Sequence, residues 1–318
     1  MADGDKKLFC FGYGYSCHYL GYALSQLPSK WHLAGTTRDE GRFSSLKNKS
    51  ITPYLFERGA PLPDLEYILR DVTHLLISTP PDDDGDPAFL AHGHDISAFK
   101  NLEWIGYLST TGVYGDRDGR WVDESSDINP SSRRGNRRKK AEEQWMSLYK
   151  NHGLPVHIFR LAGIYGPGRC ALDSVRAGIG RRIRKRGHAF GRIHVEDIVG
   201  GLLKSFQKPT PGEVYNLADD MPAPSHEVIE YACDLLGVDP PPIVNFEDAN
   251  LAPMTRSFYS ENRRVRNEKI KRDLGMEFKY PDYKVGLRGC LEAEELSNRS
   301  SSEKNTSDSP AMPAIFKR

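Results

Sequence analysis

The sequence predicts an α/β protein with a doubly wound parallel sheet, followed by a smaller C-terminal α+β domain. Two observations carry this prediction. Short apolar runs alternate with helical stretches through residues 6–166, which is the pattern of parallel strands covered by helices on both faces. The first run, residues 8–11, also ends in a Gly-x-Gly turn that opens a helix, as at the start of a nucleotide-binding sheet.

Each predicted strand of the first half is a short apolar run that ends at a turn signal. The strands are predicted at residues 8–11, 31–36, 54–56, 72–78, 104–108 and 155–161. Apolar residues recur at three- and four-residue steps between these strands, which indicates amphipathic helices. The helices are predicted at residues 19–27, 63–69, 89–99 and 139–150.

The second half of the chain is less regular. Its predicted helices are residues 172–183, 196–206 and 225–236, and its predicted strand is residues 213–217. We expect residues 167–296 to form the smaller domain, with later segments such as 193–217 returning to the 6–166 domain. Residues 297–318 are polar and aperiodic, so they bury too little apolar surface to offset the entropy of ordering, and we predict a disordered tail.

Composition excludes several classes of protein. The 44 basic and 43 acidic residues leave a net charge of +1, so no strong field favours nucleic acid or an anionic membrane as partner. No apolar run reaches the ~18 residues of a membrane-spanning helix. The five cysteines include no Cys-x-x-Cys spacing, and residues 1–7 lack the apolar segment of a secretory signal. We therefore expect a cytoplasmic protein without a disulfide framework or a thiolate zinc site.

The Gly-x-Gly turn predicts a dinucleotide site. Gly12 permits the tight turn, and Gly14 lets backbone amides approach a pyrophosphate at the helix N-terminus. Tyr15 and Ser16 begin the helix and join the predicted site. The third glycine of the usual fingerprint is replaced by Cys17, so a tight turn without a ligand is the alternative interpretation.

The end of the second strand predicts which dinucleotide is bound. NAD sites usually carry an acidic residue here, which binds the ribose 2′-hydroxyl, but this chain has Thr37 and Arg38. A guanidinium suits a 2′-phosphate, so NADP is favoured over NAD. The alternative is that Arg38 is an ordinary solvated surface cation.

Four segments resemble the extended short-chain dehydrogenases/reductases. Residues 107–115, Tyr-Leu-Ser-Thr-Thr-Gly-Val-Tyr-Gly, are similar to the Ser-Ser-x-x-Val-Tyr-Gly signature of that family. Residues 159–168 resemble its Arg-x-x-x-x-Tyr-Gly-Pro segment, and residues 193–198 resemble its His-Val-x-Asp segment. Residues 75–81 end a strand in small residues at the expected cofactor edge, which adds Ser78, Thr79 and Pro80 to the site.

The resemblance covers about residues 6–290 and identifies the chain as an atypical member of the epimerase/dehydratase type, with a Rossmann fold. The atypical label rests on one helix. Family members carry Tyr-x-x-x-Lys there, and the tyrosine exchanges a proton with the substrate while the lysine lowers its pKa. This chain keeps the spacing but has Arg134 and Arg138 instead. A guanidinium stays protonated at neutral pH, so Arg134 is a poor acid–base group.

Three residues are candidates for the catalytic work. Thr110 falls on the family's catalytic Ser/Thr position, where its hydroxyl could bind a carbonyl or hydroxyl group. Arg138 could bind ribose hydroxyls or a substrate anion. Tyr114 has the nearest phenol by sequence, although it could equally be the structural tyrosine of the Val-Tyr-Gly motif. The identity of the proton donor stays open.

Two functions are compatible with these features. The first is an NADP-dependent oxidoreductase or epimerase that acts on a small hydroxyl or carbonyl compound or on a nucleotide-sugar-like substrate. The alternative is a catalytically inactive NADP-binding sensor or regulatory protein. In both cases the partner is a small molecule, and the sequence leaves the oligomeric state open, a homodimer included.

Three weaker patterns in the sequence could indicate an anion or metal site. Basic runs at residues 133–140 and 181–186 are compatible with an anion site or with solvated helix faces. The His92/His94 pair has no third ligand at a recognisable spacing, and the acidic loop 82–86 lacks the distal glutamate of a calcium loop. We therefore predict no metal site.

Overall fold

A seven-stranded parallel sheet forms the centre of the computed structural model, which describes residues 5–304. The strands of the protein are β1 Lys6–Phe11, β2 Trp31–Thr37, β3 Ile51–Leu55, β4 His74–Ile77, β5 Trp104–Thr110, β6 Trp121–Val122, β7 Val156–Leu161, β8 Gly163–Tyr165, β9 Arg182–Arg184, β10 Arg192–His194, β11 Val214–Leu217, β12 Ile243–Asn245 and β13 Arg264–Val265. The central sheet has the order β3-β2-β1-β4-β5-β7-β11. This arrangement confirms the predicted doubly wound, Rossmann-like α/β fold.

Helices cover both faces of this sheet and build the smaller region beyond it. They are α1 Tyr15–Ser25, α2 Phe43–Lys47, α3 Leu65–Leu69, α4 Pro87–Ile96, α5 Arg133–His152, α6 Ala171–Arg176, α7 Val195–Gln207, α8 Ser225–Leu236, α9 Pro253–Phe258, α10 Glu268–Leu274 and α11 Tyr283–Lys304. Two 3₁₀ turns, Glu40–Arg42 and Thr111–Tyr114, follow β2 and β5.

The apolar runs form strands because both of their faces are buried. One core cluster packs α1, α7 and α10 against the sheet, and a second packs α3, α4 and α5 against the opposite face. Neither face of the central strands meets water, so their sequences are continuous apolar runs without polar alternation. A third core cluster joins α6, α8 and α11 in the smaller region.

The strand registers align the carboxyl ends that carry the predicted site. Phe11 of β1 pairs with Ile77 of β4, and Thr110 of β5 pairs with Leu161 of β7. Because all seven strands are parallel, the segments that follow them emerge at one edge of the sheet. Ligands of open α/β sheets bind in the crevice outside such an edge.

Helix α5 is longer than the sequence predicts. It begins at Arg133, six residues before the predicted start at Lys139, because the Ser132 hydroxyl caps it by accepting a hydrogen bond from Gly135 N at 3.2 Å. The apolar periodicity begins only after the basic run, so the first turns carry no amphipathic signal. Arg134 and Arg138 therefore lie one helical turn apart on the same face.

The predicted helix 172–183 is wrong in its second half. Helix α6 ends at Arg176, and the chain then turns through Gly178, whose φ of +67° lies in the left-handed region. Residues 182–184 form strand β9 instead, which pairs with β12. The glycines at 178 and 180 end the helix although the apolar spacing continues.

The predicted disordered tail also differs from the structure in its first part. Helix α11 continues to Lys304, so residues 297–304 are helical. The remainder of the predicted tail, residues 305–318, lies outside the described residues.

Candidate functional site

The glycine turn between β1 and α1 leads into the N-terminus of that helix. Gly12 has a φ of +84°, a conformation that favours glycine, and its amide donates to Thr36 Oγ1 at 2.8 Å. Gly14 is the N-cap of α1, and no side chain caps this helix end. This end of α1 therefore lacks a side-chain cap, and a helix N-terminus of that kind can receive a phosphate.

Strand β4 ends directly against this turn. A Cβ atom added at Gly12 would lie 3.1 Å from Thr79 N and 3.2 Å from the carbonyl carbon of Ser78, so residue 12 must lack a side chain. The Thr79 hydroxyl donates to Asp86 Oδ2 at 3.1 Å. Burial raises the pKa of Asp86 to about 6. Pro80 follows on the surface and lines the large cavity described below.

The end of β2 carries two arginines. Thr37, the last strand residue, accepts a hydrogen bond from Asp39 N at 3.2 Å. The Asp39 carboxylate caps the following 3₁₀ turn. Arg38 is exposed and has no hydrogen-bond partner among residues 5–304. Arg42 reaches back and donates to Tyr13 O at 3.2 Å, inside the glycine turn.

The first turn of α1 places its side chains away from solvent. Ser16 is buried, so only its amide is available to a ligand. Cys17 is also buried, and its thiol donates to Gly12 O at 3.5 Å, which shows that the third fingerprint position tolerates a small side chain here. Tyr15 donates to Pro167 O at 3.2 Å and ties α1 to the segment after β8.

A cavity of about 1580 Å³ opens at the carboxyl ends of β5 and β7. One wall is formed by the sheet edge and α5, and the opposite wall by α6, β10, α8 and the chain around α9. The size fits a substrate together with part of a cofactor.

Thr110 and Arg138 both line this cavity, as the sequence predicts for a shared site. The Thr110 hydroxyl accepts a hydrogen bond from Gly112 N at 3.1 Å, which leaves its own hydrogen free to donate. Arg138 Nη1 donates to Leu108 O at 2.5 Å and to the Tyr107 hydroxyl at 3.2 Å, so its guanidinium is fixed at the end of β5.

Tyr114 does not reach the cavity, and the structure does not support its predicted role as proton donor. Its side chain is fully buried, and its hydroxyl donates to Asn216 Oδ1 at 2.7 Å while accepting from Arg160 Nη1 at 3.0 Å. Burial raises the pKa of Tyr114 to about 12. The structural interpretation of the Val-Tyr-Gly tyrosine is the one that the geometry favours.

A buried ion pair connects this tyrosine to α5. Arg160 of β7 donates from Nη2 to Glu142 Oε2 at 2.8 Å and from Nε to Oε1 at 3.1 Å. The Ser109 hydroxyl donates to the same carboxylate at 2.5 Å. Both charged side chains are at most 5% exposed, so this network fixes α5 against β5 and β7 directly behind the cavity wall.

Several known proteins are similar to this chain in sequence or structure. No family model matches the sequence. The solved structure of a functionally unknown conserved protein from Silicibacter pomeroyi is 46% identical to the chain, and the match covers 91% of this chain and 99% of that one with a TM-score of 0.83. The chain belongs to the same family as that protein.

Two further relatives place this family among known folds. Protein YeeZ from Escherichia coli K12 is 28% identical over 290 residues, which cover 87% of this chain and 97% of YeeZ. A Bacillus cereus UDP-glucuronic acid 4-epimerase, solved with UDP-glucuronic acid and NAD, is 18% identical with a TM-score of 0.73, covering 91% of this chain and 99% of that one. The family has the fold of the epimerase/dehydratase-type short-chain dehydrogenases/reductases, which confirms the resemblance seen in the sequence.

In this member of the family, much of the first basic run is neutralised by the acidic loop 82–86. Arg137 binds the Asp83 carboxylate with both Nε and Nη2, at 2.7 and 2.8 Å, and Arg133 binds the same carboxylate. Lys140 donates to the Asp83 carbonyl at 3.2 Å. Arg134 is different: it lies over the Phe258 ring at 4.1 Å and faces the cavity without a carboxylate partner among the described residues.

Arg192 and Arg263 are among the cavity arginines that the sequence did not predict. Arg263 and Arg192 come from an irregular loop and from a three-residue strand, where neither periodicity nor a motif singles them out. Only the tertiary fold brings them to the predicted site.

Other classes of site are absent from the described part of the chain. Within residues 5–304, no group of three or more histidine, cysteine, aspartate or glutamate side chains could hold a metal ion. All five cysteines are free and buried. None of the described helices is long and apolar enough to cross a membrane.

Proposed function

We propose that the protein binds NADP along the carboxyl edge of the sheet and catalyses hydride transfer to or from a small hydroxyl or carbonyl compound. The main support for this proposal is that the ends of three neighbouring strands meet at one edge of the sheet. The glycine turn, the Ser78–Pro80 segment and Arg38 follow the neighbouring strands β1, β4 and β2, while Thr110 and Arg138 occupy the adjoining cavity.

The residues present fit a dinucleotide. Gly12 leaves room where a Cβ would meet β4, and a Cβ at Gly14 would meet only Gly12 O, at 3.9 Å, so the approach to the first turn of α1 is open. The pyrophosphate would bind the amides of that turn. Ser78, Thr79 and Pro80 would border the nicotinamide half, because Pro80 leads from the turn into the cavity.

Charge at the end of β2 favours NADP. Arg38 and Arg42 both follow β2, and the carboxylate of Asp39, the residue after Arg38, is occupied as a cap. Burial, followed by the charges of Lys49 and Arg42, lowers the pKa of His18 to about 4, so no further cation is added at neutral pH. A ribose 2′-phosphate would meet two guanidinium groups here.

The chain supplies two groups at the reacting end. A bound nicotinamide would supply or accept the hydride. Thr110 can donate its hydroxyl hydrogen to the oxygen of a substrate carbonyl, and Arg138 holds a permanent positive charge at the same strand end. Both would stabilise negative charge that develops on that oxygen during reduction. Among the described residues no histidine lines the cavity, whereas Tyr165, Tyr259 and Tyr283 do.

Arginine 38 provides the test of cofactor choice. We expect the R38A variant to bind NADPH about tenfold more weakly, since one charge-assisted contact is lost, with no change for NADH. The R70A variant is the matched control, because Arg70 is an exposed arginine at the end of α3. Isothermal titration with both nucleotides measures this. Equal NADPH affinity in R38A and wild type would remove the NADP assignment.

The second candidate function, an NADP-binding sensor without turnover, is favoured by Arg134 at the usual tyrosine position. A guanidinium does not release a proton at neutral pH, so the standard acid–base step is missing. The two functions differ in one measurement. An oxidoreductase consumes the reduced-nicotinamide absorbance with at least one compound in a panel of carbonyl substrates, whereas a sensor binds NADPH and leaves the absorbance unchanged.

A further inference from the structure

The cavity wall carries a large excess of positive charge. Two carboxylates line it, those of Asp173 and Glu261, against seven arginines: Arg134, Arg137, Arg138, Arg169, Arg181, Arg192 and Arg263. Both carboxylates are already engaged. Asp173 accepts from Cys170 N at 2.7 Å, and Glu261 binds Arg263 Nη1 at 2.7 Å. Among the described residues, five of the seven arginines have no carboxylate within ion-pair distance.

These arginines are held in place by neutral groups. Arg192 Nη1 donates to Phe190 O and Ala223 O, both at 2.9 Å, and Arg181 donates to Asn250 O at 2.8 Å. Burial lowers the pKa of Arg192, and Asp219 opposes that shift. Arg138 and Arg192 are half-buried and have no carboxylate within ion-pair distance among the described residues, so an anionic ligand would be favoured beside them. Arg134, Arg169 and Arg181 are exposed, so water and salt screen their charge.

Arg263 brings this charge to the reacting end. Its Nη1 donates to Gly115 O at 3.0 Å as well as to Glu261, which leaves Nη2 directed at Gly112. A Cβ built on Gly112 would lie 3.6 Å from Arg263 Nη2 and 3.4 Å from Thr110 Oγ1. Because residue 112 has no side chain, the space between the guanidinium and the Thr110 hydroxyl is open.

The guanidinium of Arg263 is partly buried and only partly paired. Its side chain is 17% exposed, and its Nε is buried with no hydrogen-bond partner in the described structure. Arg138 adds a second fixed guanidinium at the end of β5, where it donates to Leu108 O. A hydroxyl and two guanidinium groups thus border one end of the cavity.

We propose that Arg263, Arg138 and Thr110 form an oxyanion subsite at the reacting end, so that the substrate carries a carboxylate or phosphate next to its reacting carbon. This inference rests on the proposed function, since it names the substrate class of the same site. An arginine guanidinium can donate two parallel hydrogen bonds to two oxygens of a carboxylate or phosphate. The Thr110 hydroxyl would donate to a further oxygen of the substrate. Hydroxy acids, oxo acids and short phosphate esters have this chemistry.

Small anions test the subsite without knowledge of the natural substrate. Oxalate probes the carboxylate and inorganic phosphate probes the phosphate, each titrated calorimetrically into full-length protein saturated with NADPH. We expect R263M to weaken the better of the two probes by about tenfold or more, and R263K to recover part of that loss. R138M should act in the same direction. The probe that binds more tightly identifies the anion.

R184M is the matched control, since Arg184 is exposed, lies outside the cavity and loses the same charge. Equal affinities of R263M and R184M for both probes would overturn the subsite, and so would failure of both probes to bind wild-type protein. NADPH affinity is measured in the same samples, which distinguishes failure of the subsite from failure of the cofactor site. If NADPH binds and the anions do not, only the subsite is refuted. Circular dichroism of R263M and R138M confirms that each variant is folded.

Discussion

Replacement of Glu142 by glutamine should destabilise the protein strongly, because it leaves a buried guanidinium without its counter-charge. Arg160 makes hydrogen bonds to both carboxylate oxygens, the closest at 2.8 Å, and neither side chain is more than 5% exposed. The glutamine keeps the shape and one acceptor oxygen. What it removes is the negative charge, together with one of the acceptors that Ser109 and Arg160 share.

The size of the effect follows from this burial. Removal of one partner of a buried ion pair costs about 3–5 kcal/mol, and the acceptor that glutamine retains places E142Q near the lower end, at about 3 kcal/mol. In large domains about 1 kcal/mol corresponds to roughly 2 °C in the midpoint, so we expect a fall of about 6 °C. A paired E142M/R160M replacement removes both charges and should recover part of the loss.

Urea unfolding followed by tryptophan fluorescence measures this difference. The matched control is E143Q, because Glu143 is the next residue of α5 and is exposed. We expect E143Q to remain within about 0.5 kcal/mol of wild type. If E142Q and E143Q unfold with free energies closer than about 1 kcal/mol, the ion pair is not a main support of the cavity wall and the reasoning is refuted.

Three further predictions concern the nucleotide turn and two buried polar groups. G12A should lose NADPH binding by about tenfold or more and destabilise more than G59A, because both glycines have similar positive φ angles but only Gly12 meets β4; binding and unfolding assays that fail to separate the two variants would contradict this. For Asp86, a pKa raised to about 6 in the folded state adds stability that is complete below about pH 4 and lost as the pH rises through 6, so the stability of D86N relative to wild type should increase by about 2–3 kcal/mol from pH 4 to 7, whereas a pH-independent difference would disprove it. Y114F should lower the free energy of unfolding by about 1–3 kcal/mol and leave NADPH affinity and any turnover unchanged, and reduced turnover would restore Tyr114 as a catalytic candidate.

The central sheet could be predicted from the sequence because its strands are buried on both faces. The predicted strands 72–78 and 155–161 are short, mostly apolar runs, which favours buried strands over helices, and they contain β4 and β7. The glycine turn could also be predicted from the sequence, because Gly12 must adopt a positive φ next to β4. In both cases the local sequence and the tertiary packing impose the same requirement.

Helix ends were less predictable because local chemistry overrides periodicity. The start of α5 depends on the Ser132 cap, which precedes a basic run without an apolar stripe. The end of α6 depends on Gly178, although apolar spacing continues beyond it. The cavity arginines were harder to predict still, because Arg263 approaches Gly112 across more than 150 positions of sequence, through a loop without periodicity. No local pattern encodes such an approach.

The residues at the family-like motif positions fall into two groups: those that stabilise the fold and those that line the cavity. Tyr114 and Arg160 occupy motif positions, and they hydrogen-bond to each other in the protein interior. Tyr114 also binds Asn216 and Arg160 binds Glu142, so this network holds the strands and α5 together. Their presence therefore reports the architecture and says little about the reaction. The residues that line the cavity include Arg134 and Arg138, whose guanidinium groups would favour an anionic ligand rather than release a proton. This makes the charge of the ligand the most informative property to measure.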